Sequence, residues 1–154
     1  MSVDTIKAQL PLLWMQIPGI KNALENAPNS LIGLDLPLAL SFPGSARYDK
    51  AKIGNNMIVE TRNWLMRLYV APVQSGVPGE AESLPSQYIW PVAEFFNARP
   101  SLGGLPGMQN AMITADTGLV VRGYGSGDQS GAYVCVEFTL TTEEVYRRSF
   151  ASGE

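Results

Sequence analysis

An α+β fold, with a mixed but largely antiparallel sheet of about four or five strands and helices packed on one face, is what this sequence of 154 residues predicts. Three observations lead to it. Side chains alternate along residues 57–70 and 132–140 with the period of a strand. Apolar residues recur at intervals of three and four along 3–16 and 90–98, the spacing of one helical face. Most connections between these segments are short, which favours antiparallel neighbours over crossovers.

Taken in order, Val3, Ile6, Leu10, Leu13 and Ile17 share a face and predict an amphipathic first helix. Ser2 is placed to cap it, Pro11 must bend or divide it, and Pro18-Gly19 stops it. Residues 20–36 are punctuated by Asn26, Pro28, Asn29, Ser30 and Gly33 and read as a connecting loop. Residues 37–42 are a short apolar run closed by Pro43-Gly44, which suits a buried strand. Residues 44–56 set Arg47, Lys50 and Lys52 against Asp49 alone and read as an exposed basic loop.

Residues 57–70 give the clearest strand. The face bearing Glu60 and Arg62 changes to Trp64, Met66 and Leu68, so its first half is expected to leave the core and its second half to enter it. Residues 72–85, rich in Gly, Pro and Ser, read as a surface loop. A second helix is expected over 90–98 with Pro91 at its first position, and Arg99-Pro100 ends it. Strands follow over 108–115, 119–124 and 132–140, the last two joined by the hairpin loop of residues 125–131. The whole chain is expected to be one domain, with the charged residues 141–154 as a C-terminal extension beyond the sheet.

Composition narrows the chemistry. A formal charge of −3 argues against sequence-independent nucleic-acid binding, and the single cysteine, Cys135, excludes an intrachain disulfide. Asp4 stands where a signal peptide would carry a basic residue, and no apolar run is long enough to span a membrane, so a soluble cytoplasmic protein is expected. The absence of histidine removes the commonest general base and metal ligand, so neither an enzyme nor a bound cofactor or metal is expected.

The remaining motifs have ordinary explanations. Asp116-Thr117-Gly118 matches the aspartic protease tripeptide, but Thr114 and Ala115 before it are not a bulky apolar pair, and a turn between two strands accounts for it better. Gly123, Gly125 and Gly127 lack the Lys-Ser or Lys-Thr of a phosphate loop. Glu80, Glu82, Glu143 and Glu144 read as solvated surface charge. Arg47, Lys50, Lys52, Glu60, Arg62 and Arg67 are the candidate contact residues, charges able to fix the register of a protein interface.

Several phrases resemble the tail terminator, or tail completion, proteins of long-tailed bacteriophages. They are Ile17-Pro18-Gly19-Ile20, Leu36-Pro37 leading to Phe42-Pro43-Gly44, Thr61-Arg62-Asn63-Trp64, Arg67-Leu68-Tyr69-Val70-Ala71-Pro72, Ala98-Arg99-Pro100-Ser101-Leu102-Gly103-Gly104 and Tyr133-Val134-Cys135-Val136-Glu137-Phe138. The resemblance covers roughly residues 17–140 and departs from the family at Pro11 and at the charged end. It implies a homo-hexameric ring that caps the tail tube protein, meets a head-completion or connector protein, and resides in the virion tail or neck after assembly in the host cytoplasm. Membrane contact and specific nucleic-acid recognition are not implied, although DNA would pass through such a ring. Another neck protein, a dimeric peptidase using Asp116 and a small-molecule binding module are the alternatives.

Overall fold

Alternation puts Trp64, Met66 and Leu68 on one side of strand β3 (Met57–Pro72), where all three are completely buried. The computed structural model of the chain describes residues 3–50, 56–73 and 86–147. Around β3 these form α1 (Val3–Trp14), β1 (Asn22–Leu24), β2 (Leu38–Lys50), α2 (Ser86–Asn97), β4 (Met108–Tyr124) and β5 (Gly131–Arg147). The five strands make one sheet in the order β1-β2-β3-β5-β4, with β1 parallel to β2 and every other neighbour antiparallel. The α+β class and the largely antiparallel sheet are as expected.

Both helices lie on the same face of the sheet. Ile6, Leu10, Leu13 and Trp14 of α1 and Val92 and Phe96 of α2 join Trp64, Met66, Leu68, Val136, Phe138 and Leu140 in one core. Trp14 ties the layers together, with its ring centroid 5.3 Å from Phe96 and 6.2 Å from Phe138. On the other face Leu38, Leu40, Tyr69, Tyr133 and Cys135 form a smaller cluster under Leu31 of the β1–β2 connection. That connection is tied down by the Tyr124 hydroxyl, which donates to the Pro28 carbonyl.

Several expected boundaries are corrected. The single amphipathic helix expected at the start is not among them: Pro11 does not divide α1, since burial of four large side chains on its inner face outweighs one missing backbone bond. Helix α2 begins at Ser86, a turn before the expected start, so Pro91 is interior to it. The connection over 20–36 contains β1, whose Asn22 amide side chain donates to the Asp35 carbonyl. Of the expected loop over 44–56, residues 44–50 are strand, since β2 continues through a bulge between Pro43 and Ala46 as far as Lys50, and residues 51–55 lie outside the described residues. Gly44 is needed there, because a Cβ would lie 2.6 Å from the backbone carbonyl oxygen of Asn63.

The two strands expected over 108–115 and 119–124 are one strand, β4, and Asp116-Thr117-Gly118 is a bulge within it rather than a turn. Gly118 takes a φ of +63° and donates its N–H to Asp116 Oδ1 at 2.8 Å. Residues 141–147 do not leave the sheet; they extend β5, pairing with both β3 and β4. The expectations placed on Ser2, Lys52, residues 74–85 with Glu80 and Glu82, and residues 148–154 lie outside the described residues.

Candidate functional site

Strand pairing decides where the charged side chains meet. Opposite residues of a ladder share a face, and Arg67 of β3 is opposite Glu137 of β5 on the face without helices. Arg67 Nε donates to Glu137 Oε2 at 2.6 Å. From β4 on the other flank, Arg122 Nη2 donates to Glu137 Oε1 at 2.8 Å. One buried carboxylate thus joins three adjacent strands through two guanidiniums.

The surroundings fix this group further. Arg67 Nη1 donates to the Tyr69 hydroxyl at 3.0 Å, and the Tyr69 ring packs edge-on against Tyr124 and Tyr133. Thr117 Oγ1 of the β4 bulge accepts the Glu137 backbone N–H, restoring the ladder bond that the bulge interrupts. Arg122, and then Arg67, hold the Glu137 carboxyl below the usual carboxylate range against the opposing effect of burial. Burial pushes the Cys135 thiol up to about 12, which leaves it a packed thiol and a poor nucleophile.

A second polar group lies at the distal end of the sheet on the helix-bearing face. Glu60 and Glu144 are opposite one another in the β3–β5 ladder and both are buried. Arg62 holds Glu60 through Nε at 2.9 Å and Nη2 at 2.6 Å, and reaches β2 through the Gly44 carbonyl at 2.8 Å and the Tyr48 hydroxyl at 3.2 Å. Glu144 Oε2 has no hydrogen-bond partner among the described residues. Burial, reinforced by Glu60, holds the Glu144 carboxyl above its ordinary range. The expectation of four solvated glutamates therefore fails at Glu144, which is 4% exposed, while Glu143 is exposed.

Of the candidate contact residues, Glu60 and Arg62 meet each other and Arg67 meets Glu137, so all three have partners inside the chain. Arg47 pairs with Asp49 on the exposed distal part of β2, and Lys50 ends that strand. Sequence reasoning missed Glu137 and Arg122 as partners, because seventy residues separate Arg67 from Glu137 and only the ladder brings them together.

The sheet edges are the other feature that sequence reasoning missed. β4 is an outer strand, and along it Met112, Leu119 and Val121 are exposed. Among the described residues its outer backbone is covered at one point, where Asn97 Oδ1 accepts the Ile113 N–H at 2.7 Å. At the opposite edge β1 covers only Leu38 to Leu40, leaving the outer side of residues 41–50 of β2 without a neighbouring strand among the described residues. A groove of about 300 Å³ between the end of α1 and α2 is lined by Ile17, Pro18, Pro91, Phe95 and Arg99, with the Arg99 guanidinium 3.6 Å from the Phe95 ring centroid.

Compared with known proteins, the chain matches no family model and no curated protein.

Proposed function

We propose that this chain is a structural subunit of a long-tailed bacteriophage, forming a ring that ends the tail tube and offers the surface to which the head is joined. The observation that carries the reading is the exposed edge of β4. A long edge strand with no neighbouring strand among the described residues and with outward Leu119 and Val121 is a liability for a solitary chain, and proteins blunt such edges unless another chain covers them. Past the bulge, Arg122 is the one charged residue on β4, and Glu137 already holds it. The phrases that resemble the tail terminator family support the same reading, since several lie on β3 and β5, the strands at the centre of the sheet.

On this reading the subunit works by contact. The Arg67–Glu137–Arg122 group fixes β3, β5 and β4 in one register, so the sheet presents its edges in a constant geometry. One side of the ring meets the tail tube protein and the other the head-completion or connector protein. A subunit of another neck ring would use the same edges and differ in which of these it binds. The peptidase alternative finds less support: Asp116 is exposed on a bulge, with Oδ1 engaged by the Gly118 N–H.

Mass in solution tests the ring. Light scattering is expected to give a hexamer, or a monomer that becomes hexameric only when tail tubes are added. A tight dimer that persists on dilution and in the presence of tubes would overturn the proposal.

A further inference from the structure

The two edges of the sheet that are open among the described residues are complementary to each other. β2 and β4 run in opposite directions, because three antiparallel steps separate them: β2 to β3, β3 to β5, and β5 to β4. A second copy of the chain set beside the first in the same orientation therefore meets β4 with its β2 antiparallel, continuing the alternation of the sheet. Resting on the ring reading above, we propose that copies join head to tail through this pairing, residues 116–124 of one copy against residues 42–50 of the next.

The register follows from the side chains. Each stretch is nine residues long and contains one bulge with one extra residue: 117 and 118 of β4 oppose Glu137 alone, and 44 and 45 of β2 oppose Asn63 alone. Each bulge shifts the alternation of faces by one residue, so two stretches with one bulge each stay matched from end to end. At one end Asp116, opposite Phe138, and Lys50, two residues beyond Tyr48, both belong to the helix-bearing face and carry opposite charges. At the other end Tyr124 and Phe42 both belong to the face without helices. Between them, counting each bulge as one position, exposed Leu119 comes opposite exposed Tyr48, and Val121, 52% exposed, comes opposite Ala46.

Pairing β4 with β4 of a second copy fits less well. Asp116 and Arg122, the charges available there, lie on opposite faces, since Asp116 is opposite Phe138 and Arg122 is opposite Tyr133. The head-to-tail pairing is also the one that repeats around a ring, whereas a self-pairing edge stops at two copies.

Paired cysteines test this on the full chain. With Ala46→Cys and Val121→Cys in one chain, mild oxidation is expected to give a ladder of covalent multimers ending at the ring size, and neither single variant should cross-link. Cys135 is buried and does not compete. A covalent dimer from Val121→Cys alone would overturn the proposal in favour of β4 self-pairing. A hexamer by light scattering in which the double variant gives no ladder would overturn the edge pairing and leave the ring reading standing. A ladder without a closed ring would keep the edge pairing and overturn the ring. Asp116→Lys should weaken assembly, and Lys50→Asp in the same chain should restore it; failure of that restoration counts against the register.

Discussion

Trp64→Ala is expected to destabilise the chain by about 3–5 kcal/mol, a loss read as a lower denaturation midpoint in urea. Trp64 is completely buried on the helix-bearing face, opposite Leu140 of β5 and Pro43 of β2, so truncation opens a cavity beneath both helices. Against a total stability on the order of 5–15 kcal/mol for a domain, that is a large share. Trp64→Phe separates packing from polarity. The indole Nε1 is buried without a hydrogen-bond partner among the described residues, so phenylalanine loses some volume but also removes an unsatisfied donor. Its cost should be about 1 kcal/mol or less. A loss as large as that of alanine would contradict an unsatisfied indole N–H at this position.

Glu137→Ala is the second large effect, expected at about 2–4 kcal/mol. The figure is set below that of a fully buried pair because the Arg122 side chain is 43% exposed and regains water, whereas Arg67, 22% exposed, is left partly desolvated with Tyr69 as its remaining partner among the described residues. Converting Arg67 to Met in the same chain should recover much of the loss, since replacing a buried pair by apolar groups is often close to neutral. The sign of the pH dependence follows from the depressed Glu137 carboxyl. Its contribution is fully present above the ordinary carboxylate range and is lost as pH falls through the depressed value. Glu137→Ala should therefore flatten the acid limb of a stability profile. Glu144 has the opposite sign: its raised carboxyl favours the fold at low pH, and that contribution is lost as pH rises through the raised value. A profile with an unchanged acid limb in Glu137→Ala would contradict the paired geometry.

Much of the fold was legible because single residues dominate their segments. The pattern of Trp64, Met66 and Leu68 identified β3 and its inner face, and the spacing of Ile6, Leu10 and Leu13 identified α1. The errors came where a local signal was overruled by pairing. Pro43-Gly44 reads as a stop, yet at an edge strand it makes a bulge and β2 continues. Asp116-Thr117-Gly118 reads as a turn, yet β5 alongside holds it as a bulge. The strand over 141–147 was hidden because Glu144 occupies an inward position that sequence reasoning reserves for apolar side chains.

The candidate contacts were less legible still. Charge counting found Glu60, Arg62 and Arg67 but assigned them outward, because partners such as Glu137 and Arg122 are set by ladder register and not by sequence spacing. Open edges carry no sequence signal of their own. They are a property of strand order, and the order β1-β2-β3-β5-β4 is what leaves the outer side of β4 and of the distal part of β2 without a neighbouring strand among the described residues.

The most direct test of the proposed role is electron microscopy of assembled tail tubes mixed with the purified chain. Ring-shaped density is expected at one end of each tube, with no decoration along the wall and no further growth from the capped end. Tubes that bind the chain along their length, or that keep growing unmarked in its presence, would contradict it.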